Sequence, residues 1–239
     1  MKGSFESYNI VVVGGAGVGK ATFIHQFELN SFIEHIEPTA CSEKVRKQVI
    51  VDDRACLIQS LDPISTTDAA DREWAKKYWK QQVLEADAAI LMYSVTSRET
   101  LMQVARLHSA ILDVLAAASN LGGGHKYASI LPQSPHRITI PICLVGNKID
   151  QHAAREISYA EGVQLAKSLG CCFFEASAKR EHTVRKVYDS LIRAIRRGDE
   201  VGQQCLGSGT GQDALREASA VDGGGVLGCF VRLYRFVKR

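Results

Sequence analysis

The sequence predicts an α/β fold built on a mostly parallel sheet with one early antiparallel hairpin. Three observations carry that prediction. Short apolar, β-branched runs alternate with longer amphipathic stretches through most of the chain. The first run ends in a glycine cluster that opens directly into a helical stretch. Two early runs are separated only by the polar residues Asp52, Asp53 and Arg54, the spacing of a hairpin.

The elements follow in order. Ile10 to Val13 reads as a buried strand, and Lys20 to Leu29 as a helix with Phe23, Ile24 and Phe27 on one face. Lys44 to Val51 and Ala55 to Leu61 are the hairpin strands. Asp71 to Leu84 is expected to be helical, with Trp74, Tyr78 and Trp79 as its apolar stripe. Ala88 to Tyr93 is a strand, and Arg98 to Ala118 a long amphipathic helix. Ile140 to Val145 is a strand with Pro141 at its edge. Ser158 to Leu169 is a helix closed by Gly170, Cys172 to Glu175 the last strand, and Thr183 to Arg197 the last helix, stopped by Gly198. Two segments lack periodicity. Residues 119–139 hold three glycines and two prolines and read as a long loop insertion. Residues 198–225 are rich in Gly, Ser and Gln and read as a flexible tail.

Composition sets outer bounds. A length of 239 residues allows one substantial core, and 46% hydrophobic with 23% charged residues is ordinary for a soluble domain. The net charge of +3 gives no footprint for nucleic acid. Residues 1–8 are short and polar, unlike a secretory signal, and no run reaches the ~18 apolar residues of a spanning helix. The seven cysteines are scattered without metal-ligand spacing, so reduced cytosolic thiols are expected.

Residues Gly14-Gly15-Ala16-Gly17-Val18-Gly19-Lys20 match the phosphate-loop pattern in its required strand-to-helix context. Backbone N–H groups in such a turn make a concave anion site, and the helix N-terminus adds a favourable dipole. Lys20 would reach the β- and γ-phosphates. The next position should offer a hydroxyl to Mg²⁺ but is Ala21. Thr22 is one residue late and points about 100° away on a helix.

Asn147-Lys148-Ile149-Asp150 follows an apolar strand. A carboxylate at Asp150 matches the two donors on the N1 and N2 edge of guanine, a pair that adenine lacks. The Lys148 stem can lie across the base, and Asn147 can tie neighbouring loops together. Glu175-Ala176-Ser177-Ala178-Lys179 follows the last strand, where an N–H near Ala178 could meet guanine O6; a polar surface turn is the plainer reading of that stretch alone.

With these motifs in place, residues Tyr8 to Arg197 resemble a small GTPase of the Ras superfamily, nearest its Ras-like branch; Arg46-Lys47-Gln48-Val49 adds to the likeness. The resemblance implies a P-loop G domain with a six-stranded sheet, helices on both faces, and GTP or GDP with Mg²⁺ as cofactors. It implies that Phe32 stacks edge-on against guanine, and that Pro38-Thr39 is the first switch, where Thr39 meets Mg²⁺ and the γ-phosphate. Asp62 would hold the metal through water. Lys20, Thr39 and Thr66 would then occupy the positions that serve hydrolysis.

After Asp62 the family pattern fails. Ser65 replaces the glycine that meets the γ-phosphate, and Thr66 the glutamine that positions water. Ala16 replaces a phosphate-loop glycine, and Ala40 to Lys44 lacks the acidic effector pattern. The expectation is a guanine-nucleotide-binding signalling switch with slow hydrolysis. The alternative is a pseudo-GTPase scaffold that does not cycle. An ATP-dependent kinase is disfavoured by Asp150.

Residues 226–239 contain Arg232, Arg235, Lys238 and Arg239 and no acid; Arg232, Arg235 and Arg239 gather opposite Val226, Leu227, Phe230, Leu233, Tyr234 and Val237, the pattern of a basic amphipathic stretch on an anionic membrane. No CaaX box ends the chain, so a loose tail or a partner-docked tail is the competing expectation, and Cys229 is an acylation candidate. The expected location is the cytoplasm, with a peripheral membrane position through this stretch. The insertion at 119–139 is either a passive loop or a docking element.

Overall fold

The computed structural model describes residues 6–33, 46–62, 73–120 and 140–198. They form β1 (Glu6–Gly14), α1 (Lys20–Leu29), β2 (Arg46–Val51), β3 (Arg54–Leu61), α2 (Glu73–Glu85), β4 (Ala88–Ser94), α3 (Arg98–Asn120), β5 (Ile142–Asn147), α4 (Tyr159–Leu169), β6 (Cys172–Glu175) and α5 (Glu181–Arg197). The sheet order is β2-β3-β1-β4-β5-β6, and only β2 and β3 pair antiparallel. The predicted α/β class, strand number and single hairpin are all present.

Alternation along β1 divides the core. Val11 and Val13 face α2, α3 and α4, where they join Leu61, Leu91, Trp79, Val83, Val104 and Val163. Ile10 and Val12 face α1 and α5, where they join Ile58, Ile90, Phe23, Phe27, Tyr188 and Ile192. β4 lies between β1 and β5, and all of its residues are buried, so it reads as an unbroken apolar run. At the edge, β2 alternates instead, with Val49 and Val51 buried and Gln48 and Ile50 exposed. Asp52 and Asp53 both take positive φ (51° and 59°), the backbone that a two-residue hairpin turn requires. Arg193 holds Asp52 through Nε and Nη2, which fixes that turn to α5.

Several boundaries differ from the sequence expectation. The buried stripe of α2 is Ala75, Trp79, Gln82 and Val83, because Tyr78 sits on the shoulder of the helix. β5 begins after Pro141, whose carbonyl accepts from Ala89, and runs on to Asn147. α5 starts at Glu181, two residues early, and a short 3-10 turn at His152–Ala154 was not anticipated. Ser158 caps α4 in a reciprocal capping box with Glu161, and Gly170 (φ 69°) closes it. α3 is long and apolar enough to cross a membrane by length and composition, yet Leu101, Val104, Ile111 and Leu115 seat it on the sheet. Residues 119 and 120 of the expected insertion belong to α3, and residues 121–139 and 199–239 lie outside the described residues.

Candidate functional site

Parallel strands place the loops after β1, β5 and β6 at one end of the sheet, where ligands of open α/β folds bind. The loop after β1 starts at Gly14, where an added Cβ would strike the carbonyl oxygen of Met92. Gly17 (φ 71°) and Gly19 (φ 92°) take the left-handed backbone that turns the loop into α1. Lys20 Nζ donates to the carbonyls of Gly14 and Gly15, each at 3.1 Å, so the ammonium is held over the loop.

Asn147, only 1% exposed at the end of β5, joins three loops. Its Nδ2 donates to the Val18 carbonyl at 2.9 Å, and its Oδ1 accepts from the Ala178 N–H at 3.2 Å. The Ala178 N–H offered for guanine O6 is therefore engaged by Asn147 here. Lys148 takes a positive φ (68°) and donates through Nζ to the Gly17 carbonyl at 2.7 Å, spanning from the base-side loop to the phosphate loop.

Asp150 is framed by the loop after β6. Ser177 Oγ donates to its Oδ1 at 2.6 Å, and Lys179 Nζ lies 3.3 Å from its Oδ2. Burial raises the Asp150 pKa, but the Ser177 hydroxyl and the Lys179 ammonium outweigh it and hold the carboxyl below its usual range. The group is thus an ionised acceptor at neutral pH, as two N–H donors on one base edge require. Lys179 also stands 5.2 Å from the ring centre of Phe32, which is 39% exposed. The Lys179 ammonium thus stands between the Asp150 carboxylate and the Phe32 ring.

The metal side is thinner. Ala21, the second residue of α1, has no side-chain oxygen to offer. Asp62 follows β3; burial pushes its pKa up, and the Lys20 ammonium opposes that shift. Thr22 is partly buried on α1, a residue beyond the position a ligand would need. Pro38, Thr39, Ser65 and Thr66 lie outside the described residues. Among the described residues no three His, Cys, Asp or Glu side chains converge as a metal centre. The described donors fit a guanine nucleotide; of the residues expected to hold Mg²⁺, Asp62 is described and Thr39 is not.

Two supports escaped the sequence reading. Arg155 grips Glu175 through both guanidinium nitrogens, at 2.7 and 2.9 Å, and so braces the loop after β5 against β6. Thr183 Oγ1 accepts from the Ser177 N–H at 3.1 Å and fixes the loop that frames Asp150. The first link joins residues 20 positions apart, too far for a local pattern to announce it.

A family model described as the Ras family matches residues 9–197. The chain belongs to the Ras family. It is 36% identical over 199 residues to Ras-like protein 1 of Pyricularia oryzae, across 82% of this chain and 78% of that one. It is 34% identical over 199 residues to Protein ras-2 of Neurospora crassa, across 82% of each. It is 34% identical over 192 residues to Ras-like protein B of Aspergillus fumigatus, across 79% of this chain and 77% of that one. This Ras-family chain is accordingly a small GTPase of the signalling-switch type, a class that works with GTP, GDP and Mg²⁺.

Proposed function

We propose that this Ras-family protein binds guanine nucleotide but hydrolyses GTP slowly, with weakened Mg²⁺ coordination. The observation that carries the reading is Ala21 in the first turn of α1, directly after the Lys20 clamp. Gly14 to Lys20 would cradle the phosphates, Phe32 and Lys179 would flank the base, and Asp150 would read its edge. Asn147 and Ser177 hold that frame together. Against this assembled half stands a depleted one: Ala21 brings no metal ligand, and Ala16, Ser65 and Thr66 replace residues that serve the γ-phosphate and the attacking water. Thr39 and Asp62 would be left to hold the metal. Losing water positioning alone is a matter of orders of magnitude, since each ~1.4 kcal/mol of barrier is tenfold in rate.

The nucleotide-binding unit is residues 8–197, with 119–139 as an insertion and 198–239 as a tail. The tail's basic amphipathic stretch, 226–239, would hold the protein on the cytoplasmic face of an anionic membrane. A second reading, a non-cycling interaction scaffold, is favoured by Ala21 together with Ser65. Nucleotide released from purified, denatured protein separates the two. Bound GTP supports the stalled switch, GDP a cycling enzyme, and no nucleotide the scaffold.

A further inference from the structure

Helix α1 has no basic residue in its last turn, and the carbonyls of a last turn find no partner within their own helix. A cation reaches them from another element. Lys47 of the edge strand β2 donates through Nζ to the Phe27 carbonyl, and to Asn30 Oδ1 at 2.7 Å. The same ammonium stands 5.2 Å from the ring centre of Phe27, which is buried and stacks on Tyr188 of α5. Lys47 thus opposes the negative end of the α1 dipole and closes the helix from 17 positions further along the chain.

Asn30 is where the chain leaves α1. It takes a left-handed backbone (φ 52°, ψ 33°), a conformation that Asn adopts more readily than most residues because its short polar side chain can be engaged. Phe32 follows two residues later, no more than about 7 Å of chain. Residues 31–33 are all exposed, so burial does not fix this segment. Two lysines hold it instead: Lys47 at Asn30, and Lys179 at 5.2 Å from the Phe32 ring centre.

We infer that Lys47 is a positioning residue for guanine binding: from β2 it pins the Asn30 turn, and that turn sets where the Phe32 ring stands against the base. This rests on the nucleotide-binding reading above, with Phe32 beside the base. Lys47 acts through Phe32 and not on the nucleotide itself. Its loss frees the turn, so the ring no longer closes on the base and the nucleotide leaves faster. Once Phe32 is gone, Lys47 has no ring to position, and removing it adds little.

The test is release of fluorescent GDP from the full chain carrying Lys47→Met, Lys47→Arg, Phe32→Ala, or Lys47→Met with Phe32→Ala, alongside thermal melting of each nucleotide-free protein. Lys47→Met keeps the apolar stem without the charge and is expected to speed release about tenfold. Lys47→Arg keeps donors for both oxygens and should stay within about threefold of wild type; release as fast as in Lys47→Met overturns the donor role. In the Phe32→Ala background, Lys47→Met should add less than about twofold. An equal acceleration there overturns the inference, because Lys47 would then act without the ring. So does a Lys47→Met protein that melts lower but releases GDP at the wild-type rate, which is what a merely structural cap gives. If Lys47→Met does not fold, Asn30→Asp and Asn30→Gly decide: both allow the left-handed backbone, and only the first keeps an acceptor for Lys47. Faster release in Asn30→Gly alone supports the inference, and equal release in the two overturns it. A wild-type chain that takes up no guanine nucleotide defeats the nucleotide reading itself, whereas binding with unchanged release in Lys47→Met defeats this inference alone.

Discussion

The Tyr188 hydroxyl of α5 and the Ser60 hydroxyl of β3 lie 3.0 Å apart in a buried contact. Tyr188 is fully buried and stacks on Phe27, with ring centres 3.5 Å apart, so its hydroxyl is carried into the core by an aromatic cluster. Beside it on α1 is Glu28. Burial pushes the Glu28 carboxyl from 4.5 up to about 7; a hydrogen bond with Ser60 and the charge of Lys47 oppose the shift, and the Asp62 charge adds to it.

A raised acid pKa in the fold means that the folded state binds protons more tightly than the unfolded chain. Stability should therefore be greatest below about pH 4.5 as far as Glu28 is concerned, and should fall as pH rises through about 7. Glu28→Gln should remove that slope and be more stable than wild type at pH 8 by about 1–2 kcal/mol, a figure reduced for partial exposure. Parallel melting curves for the two proteins from pH 5 to 8 would contradict the assignment.

Asn147 serves as a joint between three loops. Asn147→Ala leaves the Val18 carbonyl and the Ala178 N–H without their partner. The cost should be about 2 kcal/mol of stability, with a concurrent loss of nucleotide affinity. Thermal melting and nucleotide titration on the same protein check this. Intact affinity in a destabilised protein would separate the joint from the site.

Restoring an oxygen at the first turn of α1 should repair the metal side. Ala21→Ser is expected to slow nucleotide release about tenfold or more in Mg²⁺ and to leave release in EDTA unchanged. Stopped-flow release of a fluorescent nucleotide under both conditions measures it. An equal effect in both would show that the hydroxyl acts on packing and not on the metal.

Residues 226–239 are proposed to reach an anionic surface. Their removal should abolish co-sedimentation with vesicles containing phosphatidylserine, and binding by the intact chain should weaken as salt rises. Unchanged partitioning after the deletion would exclude the stretch as an anchor.

The sheet was legible in the sequence because buried parallel strands leave apolar runs such as Ile10 to Val13 and Ala88 to Tyr93, and because glycines mark the turns they need. Lys20, Asn147 and Asp150 were legible because their chemistry depends on spacing along one loop. That Asn147 ties neighbouring loops was also legible, but the particular partners that interlock them were not. The contacts of Asn147 with Val18 and Ala178, and of Ser177 with Asp150, join residues 27 to 129 positions apart, and only the closed sheet brings them together. Trp79 rather than Tyr78 reaches the core for a similar reason, since the rotation of α2 on the sheet selects which aromatic is covered.

The central claim is that nucleotide grip and nucleotide turnover have separated in this protein. Single-turnover hydrolysis of preloaded GTP in excess Mg²⁺ tests it most directly, run beside a Ras-family protein that has serine, glycine and glutamine at the positions of Ala21, Ser65 and Thr66. The predicted result is stable GTP occupancy with a hydrolysis rate lower by about a hundredfold or more. Hydrolysis at a rate equal to that reference would contradict the claim.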